Sequence, residues 1–481
     1  MLTTILLLLI FYIIIDLIIK NRYPASSPPG PSFTLPIIGD LGKLRDLSPA
    51  QFFYQQSKIY GNIFRTWLGD QYTVVVSDPK LVREIFVKNF DNFVNRSDLL
   101  SLRLISNDYK TLSSGRDMVW KRNKEMIVQA LTLKLRTHSS VIQENCEDLI
   151  KIMKDYQQTN QPFSPKLFLS NYTLNIILQF VFSFKLRFDD EIQGKIITQE
   201  VYELFDFVGH FGFGQFIKSI GYPYYFYKRY MDKSVLKNLK LLINQIVQDH
   251  LKKLDPENPK DILDAILLKT DQNDADDRQL PYLLAVDLLL AGVLTSADTI
   301  QFFLIAMANN PDIQEKAYQE LNQVVEKGTQ ATIYHRPSTS YFNAIIKEVM
   351  RWRPIVPLGL PRAAKDDIYI SEYFIPKDTQ ILINMDAIFT SEENWENPKD
   401  FIPERFINNT HSDLFIPFGV GPRSCIGVSL AMDEVYTACT NILLNFKVSS
   451  VDGNKIDDSS IADVTLHPKY DFSIKLTNRD N

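Results

Sequence analysis

The segment around Cys425 carries the residues with the clearest chemical potential. The sequence FGVGPRSCIG occupies positions 418–427. Its three glycines permit tight turns with positive φ and a close approach of the backbone to a flat partner. A predicted helix begins at Ile426, directly after Cys425, and amide N–H groups at a helix start stabilise a thiolate. Arg423 adds a fixed positive charge that could pair with a carboxylate on a ligand.

This pattern favours a cysteine that ligates a metal. A nucleophilic cysteine would need a nearby base, and none of the six histidines stands out as one. An inert buried cysteine, as we expect for Cys439, would not explain three glycines and an arginine around it. Only three cysteines are present, with no CxxC pair or Cys/His cluster, which excludes a disulfide framework and gives no sign of zinc.

The segment resembles the haem-binding loop of the cytochrome P450 family, Phe-x-x-Gly-x-Arg-x-Cys-x-Gly. All five fixed residues are present, as Phe418, Gly421, Arg423, Cys425 and Gly427. The resemblance implies a haem-thiolate monooxygenase of the eukaryotic, membrane-anchored microsomal type, with Cys425 as the ligand to the haem iron. It also implies the P450 fold, with haem between a long central helix and the cysteine loop.

A second motif lies on the predicted long central helix. Ala291, Gly292 and Thr295 resemble the family's oxygen-binding stretch, where small residues let a flat ligand and dioxygen approach. Thr295 can donate a hydrogen bond to the carbonyl four residues earlier and bend the helix, and by resemblance it relays protons. A plain packing notch is the alternative. The family usually has an acid before the threonine, where this chain has Leu294; Asp298, four residues later, is a candidate to replace it.

Other positions resemble the family's partners for the haem propionates. Trp120 and Lys124 resemble its Trp-x-x-x-Arg pair, with lysine keeping the charge but losing the bidentate fork. Arg362 matches a further propionate partner, which would act together with Arg423. A basic cluster in the same region is predicted to dock an acidic NADPH-cytochrome P450 reductase; it comprises Arg116, Lys121, Arg122 and Lys124.

Three residues match the family's structural clamp. Glu348 and Arg351 are three apart on a predicted helix, so their side chains meet. Arg405, within the sequence PERF, is expected to join them. One carboxylate flanked by two guanidiniums can satisfy its oxygens in a semi-buried network, so we expect a structural role.

The apolar spacing predicts a mainly α-helical body with a minor β portion. One large domain over residues 32–481 is expected, since no linker or repeat divides it. The longest helix should be buried, because it is apolar on most faces. Predicted helices run over 49–60, 79–88, 281–310, 338–354 and 426–446; predicted strands run over 62–68, 72–77, 368–370 and 380–384, the last two forming a second small sheet.

The first 20 residues are predicted to be a transmembrane anchor. Residues 2–19 are almost wholly aliphatic and would span roughly 27 Å as a helix, close to the hydrocarbon thickness of a bilayer. Lys20 and Arg22 follow directly, so the positive-inside rule places the catalytic domain on the cytoplasmic side, in the endoplasmic reticulum by resemblance. The proline-rich segment 21–31 should form a stiff hinge.

The predicted reaction is insertion of one oxygen atom from O2 into an apolar small molecule, with electrons from NADPH through a separate reductase. A reductase-independent dehydratase or isomerase on the same scaffold is the alternative. Residues 202–230 are rich in Phe and Tyr but also carry Gly and Pro, so part of this stretch is predicted to be a loop. It either lines the pocket or touches the membrane, or its aromatic residues simply pack in the core. The net charge of −5 gives no reason to expect nucleic-acid binding, and we expect a monomeric catalytic unit.

Overall fold

The computed structural model describes residues 2–44, 48–134, 138–186, 191–209, 213–232, 237–407, 413–462 and 464–479. Within them the chain is mainly helical, as predicted. The helices are α1 (Leu2–Asn21), α2 (Pro49–Tyr60), α3 (Pro79–Arg83), α4 (Leu100–Ile105), α5 (Asp117–Lys134), α6 (His138–Gln158), α7 (Pro165–Phe182), α8 (Glu191–Gly209), α9 (Phe213–Phe216), α10 (Lys218–Tyr230), α11 (Lys237–Lys253), α12 (Ile262–Leu267), α13 (Ala275–Asn309), α14 (Pro311–Val324), α15 (Ser340–Trp352), α16 (Met385–Thr390) and α17 (Val428–Asn445).

In the described ranges the β portion is small and lies in four separate sheets. Its strands are β1 (Ile63–Leu68), β2 (Gln71–Val76), β3 (Arg362–Ala363), β4 (Ile368–Ile370), β5 (Tyr373–Ile375), β6 (Gln380–Ile383), β7 (Phe446–Ser450), β8 (Ser460–Ala462), β9 (Leu466–Pro468) and β10 (Ile474–Asn478). The largest sheet has the order β1-β2-β6-β3; the other pairs are β4-β5, β7-β10 and β8-β9.

One predicted strand pairing was wrong. The strand predicted at 380–384 was expected to pair with 368–370, but β6 lies parallel to β2, while β4 pairs with β5 in a hairpin. All four residues of β6 are buried in this position. Burial on both faces is typical of a strand in the middle of a sheet, and it outweighs the closeness of β4 in the sequence.

Helix α13 is the central element of the fold. It runs 35 residues, about 52 Å, and packs closely against α7 and α17. It begins six residues before the predicted start at Pro281, because the Asp274 carboxylate caps it by accepting from the N–H groups of Asp276 and Asp277. Among the described residues, α13 has the length and hydropathy to cross a membrane, but 67 % of its apolar 18-residue window is buried inside the fold.

The predicted clamp of Glu348, Arg351 and Arg405 is confirmed. The Arg351 Nε and Nη2 atoms lie 2.7 and 2.8 Å from the two oxygens of Glu348, and both side chains are fully buried. Arg405 Nε donates to Glu348 Oε1 at 3.3 Å. The remaining Arg351 nitrogen donates to the carbonyls of Phe389 and Pro398, so the clamp fixes the chain between α16 and the segment that leads to Cys425.

Helix α1 is apolar at its surface but attached to the body at its end. The Asp16 carboxylate accepts hydrogen bonds from the Ile37 N–H at 2.6 Å and pairs with Lys20 at 2.9 Å. Lys20 itself is 1 % exposed, so it is part of the body rather than a free flanking charge. The exposed apolar residues of α1 include Leu6, Leu7, Leu8, Ile10, Phe11, Ile14, Ile15, Ile18 and Ile19.

The segment 21–31, predicted as a hinge, packs against two strands. The carbonyl of Pro29 accepts from the Arg65 N–H at 2.8 Å, and that of Ser26 accepts from the Phe374 N–H at 2.8 Å. The Arg65 guanidinium stacks on the Tyr23 ring at 3.7 Å. These contacts fix the direction in which α1 leaves the body.

Candidate haem site

The cysteine loop is held by backbone hydrogen bonds. The Cys425 N–H donates to the Phe418 carbonyl, and the Ser424 N–H donates to the Gly421 carbonyl, both at 2.9 Å. Gly421 has a φ of +74°, and a Cβ there would lie 2.2 Å from the Phe86 carbonyl oxygen. This position therefore admits only glycine. Gly419 is also left-handed, with a φ of +73°.

Gly427 departs from the prediction. Its φ is −88°, so it does not provide a left-handed turn; it caps α17, which begins at Val428 rather than at Ile426. A Cβ at Gly427 would lie 3.8 Å from the Cys425 sulfur. The glycine thus keeps the space beside the sulfur open.

The Cys425 sulfur is accessible, although protein atoms surround it on most sides. Burial raises the pKa of the Cys425 thiol, and the Gly427 N–H lowers it by a smaller amount. The Arg423 guanidinium does not lower this pKa; it donates to the carbonyls of Ser113 and Gly115. The loop by itself therefore favours the neutral thiol, and a bound metal cation would be needed to displace the proton.

Three guanidiniums, those of Arg96, Arg362 and Arg423, form a buried arginine group. Arg362 and Arg423 were predicted, whereas Arg96 was missed because no local motif marks it. Arg96 Nε donates to the Ser113 carbonyl and Nη1 to the Leu360 carbonyl, both at 2.8 Å. Arg96 and Arg362 are also paired through a backbone bridge.

The arginine group has an unbalanced positive charge. Burial lowers the pKa of all three guanidiniums, and the neighbouring guanidiniums lower those of Arg362 and Arg423 further. Arginine nevertheless stays protonated in proteins, so the charges remain. Asp287 offsets part of this charge, but its carboxylate is already bonded to the N–H and hydroxyl of Ser113.

The arginine group also has hydrogen-bond donors to spare. Among the described residues, Arg362 Nη1 and Arg423 Nε are buried without any partner. Buried donors of this kind are costly to leave unpaired, at about 1–3 kcal/mol or more each. Their chemistry fits an anionic ligand with carboxylates, and the haem propionates are such groups.

Trp120 and Lys124 lie beside this group. Arg423 stacks on the Trp120 ring at 4.8 Å, and Lys124 lies 5.2 Å from the same ring. Lys124 Nζ donates to the Pro422 carbonyl, so in this structure the lysine holds the cysteine loop. Burial, and then the charge of Arg423, lowers the pKa of Lys124.

The predicted basic cluster has fewer free charges than its sequence suggests. Arg122 makes a bidentate pair with Asp277, with both distances at 2.7 Å. Arg116 stacks on the Tyr109 ring at 3.9 Å. Lys121 is exposed to solvent. The positive charge that this surface offers to an acidic partner is therefore smaller than that of four unpaired cationic side chains.

On α13, accessible residues stand out against a buried stretch. Ala291 is exposed and Thr295 is partly exposed, while residues 296–307 are buried. The Thr295 hydroxyl donates to the Ala291 carbonyl at 2.9 Å, which confirms the predicted back-bond. Ala291 and Thr295 thus offer a small side chain and a hydroxyl at an opening in the packing.

Gly292 serves a different purpose from the one predicted. A Cβ at this position would lie 2.4 Å from Cδ1 of Ile177 on α7. Next to it, the Thr173 hydroxyl of α7 donates to the Val293 carbonyl at 2.8 Å. The absence of a side chain at Gly292 lets two helices approach, so the packing alternative describes this residue.

Asp298 does not share the exposure of Thr295. It is 1 % exposed, and its Oδ1 accepts from Gln301 Nε2 at 2.8 Å. Burial raises the pKa of Asp298 well above its usual range. Burial, and then the neighbouring Asp298, raises the pKa of Tyr202 on α8. The prediction that Asp298 supplies an acid beside Thr295 is not supported by this placement, because the carboxyl lies within the helix packing.

A cavity of about 670 Å³ lies to one side of the arginine group. Arg96 and Asp98 line one wall, and Arg22 and Tyr23, just beyond α1, line another. Neither Cys425 nor Ala291 reaches it. This cavity is lined by a mixture of charged, polar and apolar side chains, and Cys425 is not one of them.

Comparisons with known proteins agree with this geometry. The family described as Cytochrome P450 matches residues 28–476. The Dictyostelium discoideum protein "Probable cytochrome P450 508D1" is 36 % identical over 480 residues, covering 98 % of each chain. "Probable cytochrome P450 519B1" from the same organism is 35 % identical and covers 99 % of each chain.

Solved structures show the same fold. Two zebra fish cytochrome P450 structures, one with abiraterone and one with progesterone, superpose with TM-scores of 0.80 at 26 % and 27 % identity. They cover 91 % and 90 % of this chain, which covers 100 % of each of theirs. The cysteine loop, the arginine group and these likenesses lead to one conclusion: the chain belongs to the cytochrome P450 family, as a haem-thiolate enzyme with the P450 fold.

Proposed function

We propose that this enzyme is a monooxygenase that inserts one oxygen atom from O2 into an apolar small molecule, with electrons from NADPH through a separate flavin reductase. The observation that carries the proposal is the Thr295 hydroxyl, presented with Ala291 at an opening on α13. A hydroxyl at this position supports oxygen chemistry, which needs protons. The alternative, a dehydratase or isomerase, gives it no such use.

The residues present fit haem. Cys425 would bind the iron, and the arginine group would hold the propionates through its unpaired N–H donors. When bound, the haem supplies oxygen activation, to which a thiolate ligand contributes electron density. Cys425 would then hold the iron, the arginine group would hold the propionates, and Thr295 would supply the proton.

Replacing Arg362 with methionine should separate ligand binding from folding. Arg362→Met removes a guanidinium whose Nη1 is unpaired and which is repelled by Arg96. We expect haem to dissociate at least about tenfold faster, because a charge-assisted hydrogen bond is lost. The haem-free protein should keep its free energy of unfolding or gain some, because one buried charge is gone.

Haem transfer to a scavenger protein and urea unfolding of the haem-free protein measure the two effects. Arg353→Met is a matched control, because Arg353 is partly buried but has its own partner, Asp458, at 3.2 Å. The control should lose stability and keep its haem affinity. Unchanged haem dissociation in Arg362→Met, with lower stability, would show that Arg362 is structural.

We further propose that Thr295 Oγ1 delivers the proton and that Asp298 does not. With NADPH, reductase and a substrate found by binding spectra, Thr295→Val should form at least about tenfold less product per NADPH consumed. The missing product should appear as released hydrogen peroxide. Asp298→Asn should keep its coupling ratio, since its carboxyl is buried against Gln301.

Thr299→Val serves as the matched control, because the Thr299 hydroxyl makes the equivalent back-bond to the Thr295 carbonyl at 2.8 Å. It should remain coupled. Product formation without NADPH or reductase would overturn the monooxygenase proposal in favour of the isomerase class. Full coupling in Thr295→Val would overturn the role of Thr295 alone.

We also propose a single-pass anchor over residues 1–20, followed by the segment 21–31, which holds the catalytic domain at the cytoplasmic face of the endoplasmic reticulum. The exposed apolar surface of α1 supports this. A second exposed apolar group on α10, comprising Ile220, Phe226, Tyr227 and Tyr230, suits the membrane interface. This α10 stretch is helical, where the sequence suggested a partial loop.

Deleting residues 2–14 tests the anchor without disturbing the attachment at Asp16 and Lys20. The shortened protein should move from the membrane fraction towards the soluble fraction and retain its haem spectrum. Flotation on liposomes would measure the change. A Phe226→Ser/Tyr227→Ser variant of the shortened protein should reduce the remaining binding. Full membrane retention by both forms would contradict the proposed anchor.

A further inference from the structure

A cluster of three possible metal ligands lies far along the chain from the haem residues. His250 is in the last turn of α11, Asp261 is the N-cap of α12, and Asp264 is in the first turn of α12. Their side chains are 15 %, 1 % and 4 % exposed. Buried acids at such a junction need partners, because an unpaired buried charge is costly.

Each of the three residues has one polar atom fixed by a backbone group. His250 Nε2 lies 3.1 Å from the Phe182 carbonyl at the end of α7. Asp264 Oδ2 accepts from the Lys260 N–H at 2.9 Å, and Asp261 Oδ1 accepts from the Asp264 N–H at 2.9 Å. Metal-binding histidines and carboxylates are typically oriented by outer contacts of this kind.

One possible ligand atom from each of the three side chains lies near the other two. His250 Nδ1 and Asp264 Oδ1 are 2.8 Å apart, and Asp261 Oδ1 lies 3.7 Å from the same nitrogen. Asp261 Oδ2 is buried and has no hydrogen-bond partner among the described residues. One ligand atom from each residue lies within 4.8 Å of the others. An orphaned, buried carboxylate oxygen next to an imidazole is the second sign of a ligand.

The local charge points in the same direction. Two buried carboxylates face one imidazole. Burial raises the pKa of Asp261, while the Asp264 N–H, the His250 charge and the Ser183 hydroxyl act against that rise. The Ser183 hydroxyl lies near this carboxyl but makes no hydrogen bond to Oδ2. A divalent cation would balance both carboxylates at once.

We propose that His250 Nδ1, Asp264 Oδ1 and a carboxylate oxygen of Asp261 bind a divalent cation of the Zn²⁺ class. One imidazole and two carboxylates are a known donor set for Zn²⁺, with a water completing four-coordination. The cation would take the place of the hydrogen bond between His250 Nδ1 and Asp264 Oδ1. It would tie the end of α11 and the start of α12 to α7, so its role is structural and separate from the haem chemistry.

Zinc binding to the tag-free, full-length holoenzyme tests this site. After dialysis against a chelator, equilibrium dialysis with ZnCl2 should give one Zn²⁺ per haem. Asp261→Asn and His250→Gln should each bind Zn²⁺ at least about tenfold more weakly. Asn retains an oxygen to cap the Asp264 N–H, so folding is preserved. Saturating zinc should raise the midpoint of thermal unfolding of the wild type by about 2–3 °C and leave the variants unchanged.

His138→Gln is the matched control. His138 Nε2 lies 2.9 Å from Asp433 Oδ2, but the other oxygen of Asp433 is taken by Arg336 at 3.0 Å. This variant should bind zinc as the wild type does. X-ray absorption at the zinc edge of the wild type should show one imidazole and oxygen ligands, independently of how any variant folds. Sulfur ligands, zinc binding unaffected by both substitutions, or no bound zinc would each overturn the proposal.

Discussion

The haem site depends on one bond, that between the Cys425 sulfur and a metal cation. The loop that carries this residue is rigid, because the left-handed Gly421 lies against the Phe86 carbonyl and the Cys425 N–H is bonded to Phe418. Yet burial favours the neutral thiol over the thiolate. The loop holds the sulfur in place but does not stabilise the thiolate by itself. The thiolate therefore needs a cation bound to the sulfur. Cys425 would bind the iron of haem, which would supply that cation, since a metal-coordinating thiol is deprotonated.

The arginine group, in contrast, lacks a negative charge and hydrogen-bond acceptors. Arg96 lowers the pKa of Arg362, and both lower that of Arg423; two of the three guanidiniums have donors without partners. Haem meets both needs with one molecule, since it carries a metal cation at its centre and two carboxylates at its edge. We infer that binding of the cofactor removes electrostatic repulsion that the polypeptide cannot remove alone. The fully satisfied clamp at Glu348 holds the segment between the two halves of the site.

The features that could be predicted from the sequence depend on residues that lie close together in the chain. The helix starts at Pro49 and Pro79 follow from capping residues one position earlier, and the cysteine motif lies within ten residues. The Glu348–Arg351 pair follows from helical spacing. In each case the relevant partners are neighbours along the chain, so residue types and spacing are sufficient.

What the sequence did not predict depends on distant partners. Arg96 belongs to the site because its backbone pairs with Arg362, more than 250 residues away. Position 292 holds glycine because Ile177 of α7 occupies the space in which a side chain would lie. Asp298 lies four residues after Leu294, which is the right spacing for a replacement acid. The packing of α13 against α7 and α8 buries it. Only the assembled fold shows which side of a helix is open.

The bond between Cys425 and iron can be tested directly by the carbon monoxide spectrum of the reduced enzyme. Wild type should show the band of thiolate-ligated haem, and Cys425→His should show that of histidine ligation or lose the haem. Cys439→Ser, at a buried cysteine outside the loop, should retain the wild-type band. A histidine-type band in freshly purified wild type, or a thiolate band that persists in Cys425→His, would contradict the account.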